Sequence, residues 1–204
     1  MTVRMPFTAL RSEIATHVEA RGSQIVAISG FGGAGKSTLA AALAKEFEPA
    51  AVVSADDFIL GQLGERCPDW RSIDRRRLVR TVLDPARRGS PIRYQQYDWA
   101  NDRLGEERKV PSAPLLLVEG VGIMHPDLLP YFDLTVWIDC PLEIAAERGR
   151  LRARENHGVD QDALWRDVWV PNDRDYFDQF RPDLLADVIY EASLLDRRSP
   201  DAEA

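Results

Sequence analysis

Basic excess is what this sequence most lacks. Lys and Arg number 26 against 33 Asp and Glu, a formal net charge of -7, so the chain has no broad positive face of the kind that nucleic-acid binders present to phosphates. Long apolar runs are also missing: none approaches the roughly 20 residues needed to span a bilayer, and no apolar signal segment opens the sequence. The two cysteines, Cys67 and Cys140, stand far apart without metal-ligand spacing, which reads as two free thiols in a reducing cytoplasm. His17, His125 and His157 show no metal spacing either and read as surface or packing residues. No internal repeat is visible. Neither nucleic acid nor membrane is therefore expected as a partner, and a homo-oligomer is compatible with all of this.

A hydrophobic fraction of 45% and a charged fraction of 29% are those of a soluble globular protein. The 204 residues fit one unit, of which about 70% of the unfolded chain's surface could be buried. Short apolar runs alternate with helical patterns, the signature of an α/β fold with a mostly parallel sheet. The runs are QIVAIS (24–29), AVVSA (51–55), PLLLVEG (114–120), LTVWID (134–139) and DVIYE (187–191), about five strands. Their continuous apolarity suits strands covered on both faces. TALRSEIATHVEARG reads as a helix ending at Gly22. The polar stretch 59–111 is too long for a connector and predicts an inserted functional element. Residues 1–196 read as a single domain, and 197–204, RRSPDAEA, as a disordered tail.

Gly30-x-x-x-x-Gly35-Lys36-Ser37 follows the first strand run and opens the alanine-rich helix STLAAALAKEF, the context a phosphate-binding loop requires. Gly30, Gly32, Gly33, Ala34 and Gly35 let backbone N–H groups curl around phosphates, and the helix start at Lys36, Ser37 and Thr38 adds partial positive charge. Lys36 would bridge the terminal phosphates and Ser37 would offer its hydroxyl to Mg²⁺. The guanine-reading Asn-Lys-x-Asp and the switch Asp-x-x-Gly of GTPases are absent. The run Leu115 to Glu119 ends in one Glu, whereas ATPase motors carry an Asp, often followed by Glu. Ser54-Ala55-Asp56-Asp57-Phe58 instead places carboxylates at the carboxyl end of a strand beside the phosphate loop, where one could accept a proton from an attacking hydroxyl.

These segments, in order, make the chain resemble the uridine kinase and phosphoribulokinase group of small P-loop kinases, which also includes nicotinamide riboside and bacterial pantothenate kinases. GFGGAGKST, ADDF, PDWRSIDRRRLVRTVLDPARRG, Tyr97-Asp98, LLLVEGV and WIDCPLEIAAERGRLRARE carry the likeness over about 22–186. It implies a three-layer α/β/α P-loop kinase fold with a helical lid over about 145–162, and ATP with Mg²⁺ as cofactors. It also implies Asp56 as general base with Asp57 as second choice, and Glu119, Ser37 and Asp56 toward the metal. Asp57, Tyr97 and Asp98 are implied as acceptor contacts, with Asp69 or Asp74 as the acidic contact before the acceptor helix. Cys67-Pro68 departs from the family pattern there, and Asn101 and Arg103 stand where some members have a histidine.

Arg148, Arg150, Arg152 and Arg154 follow the fourth run. Arg148 and Arg152 share one helical face and Arg150 and Arg154 another, so one pair can point into a site. The resemblance favours Arg148 and Arg152 as the lid arginines that neutralise the transferred phosphoryl group; Gly149 and Gly158, weak helix residues, are the candidate hinges. Arg75-Arg76-Arg77 reads as one turn of a solvated helix, Trp165 and Trp169 as core by their spacing, Trp99 as a stacking candidate, and Cys140 as a small buried residue. The expected activity is transfer of the γ-phosphoryl group of ATP to a hydroxyl of a small metabolite, a nucleoside first, with nicotinamide riboside, pantothenate or a sugar as alternatives. A nucleotide-binding regulatory ATPase is the competing class.

Overall fold

The computed structural model describes residues 2–61, 64–157 and 161–191, with backbone alone at 156 and 157. The Gly158 hinge, the end of the lid at 158–160, the His157 side chain and the 197–204 tail lie outside the described residues. The elements in chain order are β1 (Val3–Met5), α1 (Phe7–Arg21), β2 (Gln24–Ser29), α2 (Lys36–Glu46) and β3 (Ala50–Ser54). A 3-10 turn, Ala55–Phe58, follows, and then α3 (Arg75–Leu78), a π-helical turn (Val79–Leu83) and α4 (Asp84–Arg87) run on as one helix. β4 (Ile92–Asp98), β5 (Arg103–Val110), β6 (Leu115–Glu119), β7 (Leu134–Ile138) and α5 (Leu142–His157) come next. α6 (Asp162–Leu164), a second π-helical turn (Trp165–Trp169) and α7 (Val170–Phe180) are again continuous, before α8 (Pro182–Leu185) and β8 (Val188–Tyr190).

Six strands form one sheet in the order β1-β8-β7-β2-β6-β3, and each pairing is parallel. The apolar runs read from the sequence supply five of them. The sixth, β1, escaped because three residues with Arg4 in the middle offer no apolar run, and only Met5 of the three is partly covered. β2, β6 and β7 are buried along their whole lengths, as strands covered on both faces should be. One core cluster joins the sheet to α1 and α2 through Leu10, Ile14, Leu39 and Leu43. The other lies on the opposite face under Phe58, Leu78, Val82, Leu83 and Tyr176. α1 ends on Gly22 in the left-handed region, its N–H bonded to Val18 O.

The long insertion packs as a helix and an antiparallel hairpin, β4 with β5, which together roof the second core cluster. That packing draws in two of the three arginines expected to be solvated. Arg77 donates to Gln95 O and Asp57 O, each at 2.7 Å, with its guanidinium 4.6 Å from the Phe58 ring centroid. Arg75 donates to Asp69 O at 3.0 Å and Trp70 O at 3.3 Å. Among the described residues no helix is long and apolar enough to cross a membrane.

Candidate active site

The sheet order assembles the site. β2 runs into the phosphate loop with β6 on one side and β7 on the other, the place in an open α/β sheet where ligands collect. β6 pairs with β2 at Ile28↔Glu119 and with β3 at Ser54↔Glu119. Glu119 therefore stands between the strand that ends in the phosphate loop and the strand that ends in Asp56, two residues past Ser54. No distance along the chain suggests this; the neighbouring of β2, β6 and β3 does.

The loop 30–37 closes onto α2, whose N-cap, Gly35, supplies no side-chain cap, so the first-turn N–H groups remain available to an anion. Gly33 sits at φ 84°, and a Cβ there would meet Ala145 O at 2.0 Å; neither the dihedral nor the contact admits a side chain. Lys36 is buried to 9% exposure and donates to Phe31 O at 2.8 Å. Ser37 and Thr38 are exposed in the first turn.

Asp56 lies in the 3-10 turn that Ser54 caps by accepting from the Asp56 N–H at 3.4 Å. Its residue surface stays open at the carboxyl edge of the sheet, yet the protein around it strips hydration from the carboxyl. That loss, first, and repulsion from Glu119, second, push its pKa from 3.8 up to about 6, against the attraction of Lys36 and Arg152. Glu119 is 6% exposed. Asp56 and Glu119 are hard oxygen donors of the kind Mg²⁺ takes, and their mutual repulsion is what a cation between them would relieve.

The four lid arginines divide only in part as their helical faces predict. Arg150 and Arg154 both grip Asp162, which holds that carboxyl below its usual range. Arg152 has the charge that reaches Asp56, and Arg148 points back to Cys140 Sγ at 3.9 Å. Of the expected pair, Arg152 faces the site and Arg148 packs at the base of α5.

Several expected acceptor contacts are committed elsewhere. The Asp57 carboxylate accepts from Tyr94 OH at 2.7 Å and Gln96 Nε2 at 3.2 Å, and pairs with Arg108 at 3.4 Å; it ties the 3-10 turn to the hairpin. Tyr97 OH donates to Asp102, and Asp98 accepts from Asn101 Nδ2 at 2.8 Å and from the N–H groups of Ala100 and Asn101. These residues, with exposed Arg103, shape the turn of the hairpin. Asp69 pairs with Arg75 at 3.5 Å, and Asp74 caps α3 through the Arg77 N–H at 2.9 Å. Trp99 is 46% exposed and lies edge-on to Tyr97 at 5.4 Å.

Two residues of the site were missed in the sequence. Asp173 of α7, 3% exposed, accepts from the Gly32 N–H at 2.7 Å and from Trp70 Nε1 at 3.1 Å. Trp165, read as core, is core of a particular kind: its ring lies against Gly32 and Gly149, where an added Cβ would stand 3.1 Å and 2.1 Å from it. The signal was present, since Trp165, Trp169 and Asp173 recur every four residues and put a carboxylate on the apolar stripe of a helix.

No family model matches the sequence. Among solved structures, a candidate uridine kinase from Bacillus stearothermophilus aligns at 19% identity, covering 90% of this chain and 96% of that one, with a TM-score of 0.70. A candidate fructose transport system kinase from Silicibacter sp. TM1040 aligns at 26% identity over 91% and 98%, also at 0.70. D-glycerate 3-kinase from Cryptococcus neoformans aligns at 14% over 85% and 87%, at 0.63. The fold is that of the P-loop small-molecule kinases.

Proposed function

We propose that the protein is a Mg²⁺- and ATP-dependent kinase that transfers the γ-phosphoryl group to a hydroxyl of a small metabolite, with a nucleoside as the first candidate and a sugar or hydroxy acid next. The observation that carries this reading is the register of β6, which sets Glu119 between the phosphate loop and Asp56. A conformational ATPase also uses a metal carboxylate and a second one that polarises water, but carries the two side by side at the end of one strand; here Glu119 ends β6 while Asp56 follows β3, next to the insertion that would hold an acceptor. Lys36 and the N–H groups at the start of α2 hold the donor's phosphates, while the Gly32 N–H is taken by Asp173. Asp56 accepts the proton of the acceptor hydroxyl as its oxygen attacks the γ-phosphorus and the bond to ADP breaks. Arg152 balances charge on the transferred group, and closure of α5 keeps water out. Ser37, Glu119 and Asp56 would hold Mg²⁺, which supplies charge neutralisation on the phosphates when bound.

The test is ADP release measured against a panel of nucleosides, vitamins, sugars and hydroxy acids. One class of acceptor should stimulate release by orders of magnitude, and Asp56→Asn should remove about 10²–10⁴-fold of that rate, the usual share of a general base, while nucleotide still binds. Slow release indifferent to every acceptor would instead support the regulatory ATPase.

A further inference from the structure

The amino-terminal half of α7 turns polar side chains inward. Asn172 is 1% and Asp173 3% exposed. Asn172 Oδ1 accepts from the Cys67 N–H at 2.8 Å, Asp173 Oδ1 accepts from Trp70 Nε1 at 3.1 Å, and Asp175 pairs with Arg66. One helix thus holds the loop 66–70 at three points. That loop lies on the acceptor side, immediately before the helix 75–87 and against Gly122, where a Cβ would come within 2.5 Å of Trp70 Cβ. Trp70 itself is held at φ 52°, a left-handed conformation that a bulky residue keeps only when its surroundings over-determine it.

The same Asp173 carboxylate reaches the donor side, where its other oxygen, Oδ2, accepts from the Gly32 N–H at 2.7 Å. Burying a carboxylate is costly unless its oxygens are bonded, and burial pushes this one up to about 6. An apolar side chain there would avoid that cost but would leave the Gly32 N–H and the Trp70 indole N–H without their acceptor. What the carboxylate adds is a rigid plane whose two oxygens fix two donors, one on each loop.

We propose that Asp173 is a positioning residue that couples the acceptor-side loop 66–70 to the phosphate loop, so that the seating of donor phosphates is felt at Trp70 and the reverse. The inference rests on the kinase reading for its two sides, but its test needs nucleotide binding alone. Asp173→Asn leaves one acceptor oxygen and sets an NH₂ against one of the two donors. Adding Trp70→Phe removes the indole donor, so the carboxamide can again accept from Gly32 without a donor facing a donor.

Calorimetric titration with Mg-ADP should show about a tenfold weaker complex in Asp173→Asn, the loss of one charge-assisted bond, and recovery to within about threefold of wild type in Asp173→Asn/Trp70→Phe. A merely structural role would lower the Tm of Asp173→Asn and leave the nucleotide affinity of the folded fraction unchanged. In wild type the Trp70 Nε1–H resonance should shift when Mg-ADP binds. Nucleotide bound with that resonance unmoved, or with Asp173→Asn binding as wild type does, overturns the coupling and leaves the kinase reading intact. No binding of Mg-ADP to wild type overturns both. If Asp173→Asn does not fold, the wild-type resonance decides.

Discussion

A base must be unprotonated to accept a proton, and Asp56, lifted to about 6 by lost hydration and by Glu119, titrates close to neutral. kcat/KM should therefore climb with pH through about 6 and then level off, and Asp56→Asn should lose that limb along with the activity. A profile flat from pH 5 to 8 in the wild type would place the base elsewhere. The same shift bears on stability with a definite sign. Asp56 and Asp173 both bind protons more tightly folded than at the ordinary 3.8, so their contribution is full below that value and is lost as pH rises through about 6. The phosphate loop was fully legible in the sequence because its spacing is its mechanism. Asp56 and Asp57, adjacent and chemically identical, were not separable there: the hairpin residues Tyr94, Gln96 and Arg108, which take up Asp57, lie 37 to 51 positions away.

α5 was equally legible as a charged helix after the fourth apolar run, and the two faces of its arginines followed from the helical period. Its seat on the phosphate loop was not, because that contact is made of backbone: Gly33 against Ala145 O, and Gly149 under the Trp165 ring. Gly149→Ala tests it. Ala should favour the helix by about 1 kcal/mol, but its Cβ would lie 2.1 Å from Trp165, and overpacking a buried indole costs about 1–3 kcal/mol, occasionally more. The clash wins or at best balances on stability, with Tm unchanged or down by several degrees. The discriminating readout is nucleotide binding, which should weaken as Trp165 is pushed toward Gly32. A variant more stable than wild type and unchanged in nucleotide affinity would show that α5 does not brace the loop. The hairpin was read only as an inserted element for a related reason: just one residue of β5 is buried, and the register shifts between Gln95 and Tyr97, so period-two alternation is too faint to mark a strand.

Across the whole molecule, the sequence carried five of the six strands of the sheet but not their order. That β6 lies between β2 and β3 is a fact of tertiary pairing, and on it depends the meeting of Lys36, Glu119 and Asp56, which come from three separate strand ends. Asp173 reaches Gly32 from 141 positions away for the same reason: α7 folds back across the carboxyl edge of the sheet. The donor half of such a site is built by one local motif, while the acceptor half is built by elements that meet only in the fold. In the proposed kinase these halves form a transfer site rather than a hydrolytic one. A single turnover with γ-labelled ATP, Mg²⁺ and the acceptor that most stimulates ADP release measures this directly, by partitioning the label between organic product and inorganic phosphate. The label should pass to the acceptor in wild type and stay on ATP in Asp56→Asn; label recovered as inorganic phosphate, whatever acceptor is present, would contradict it.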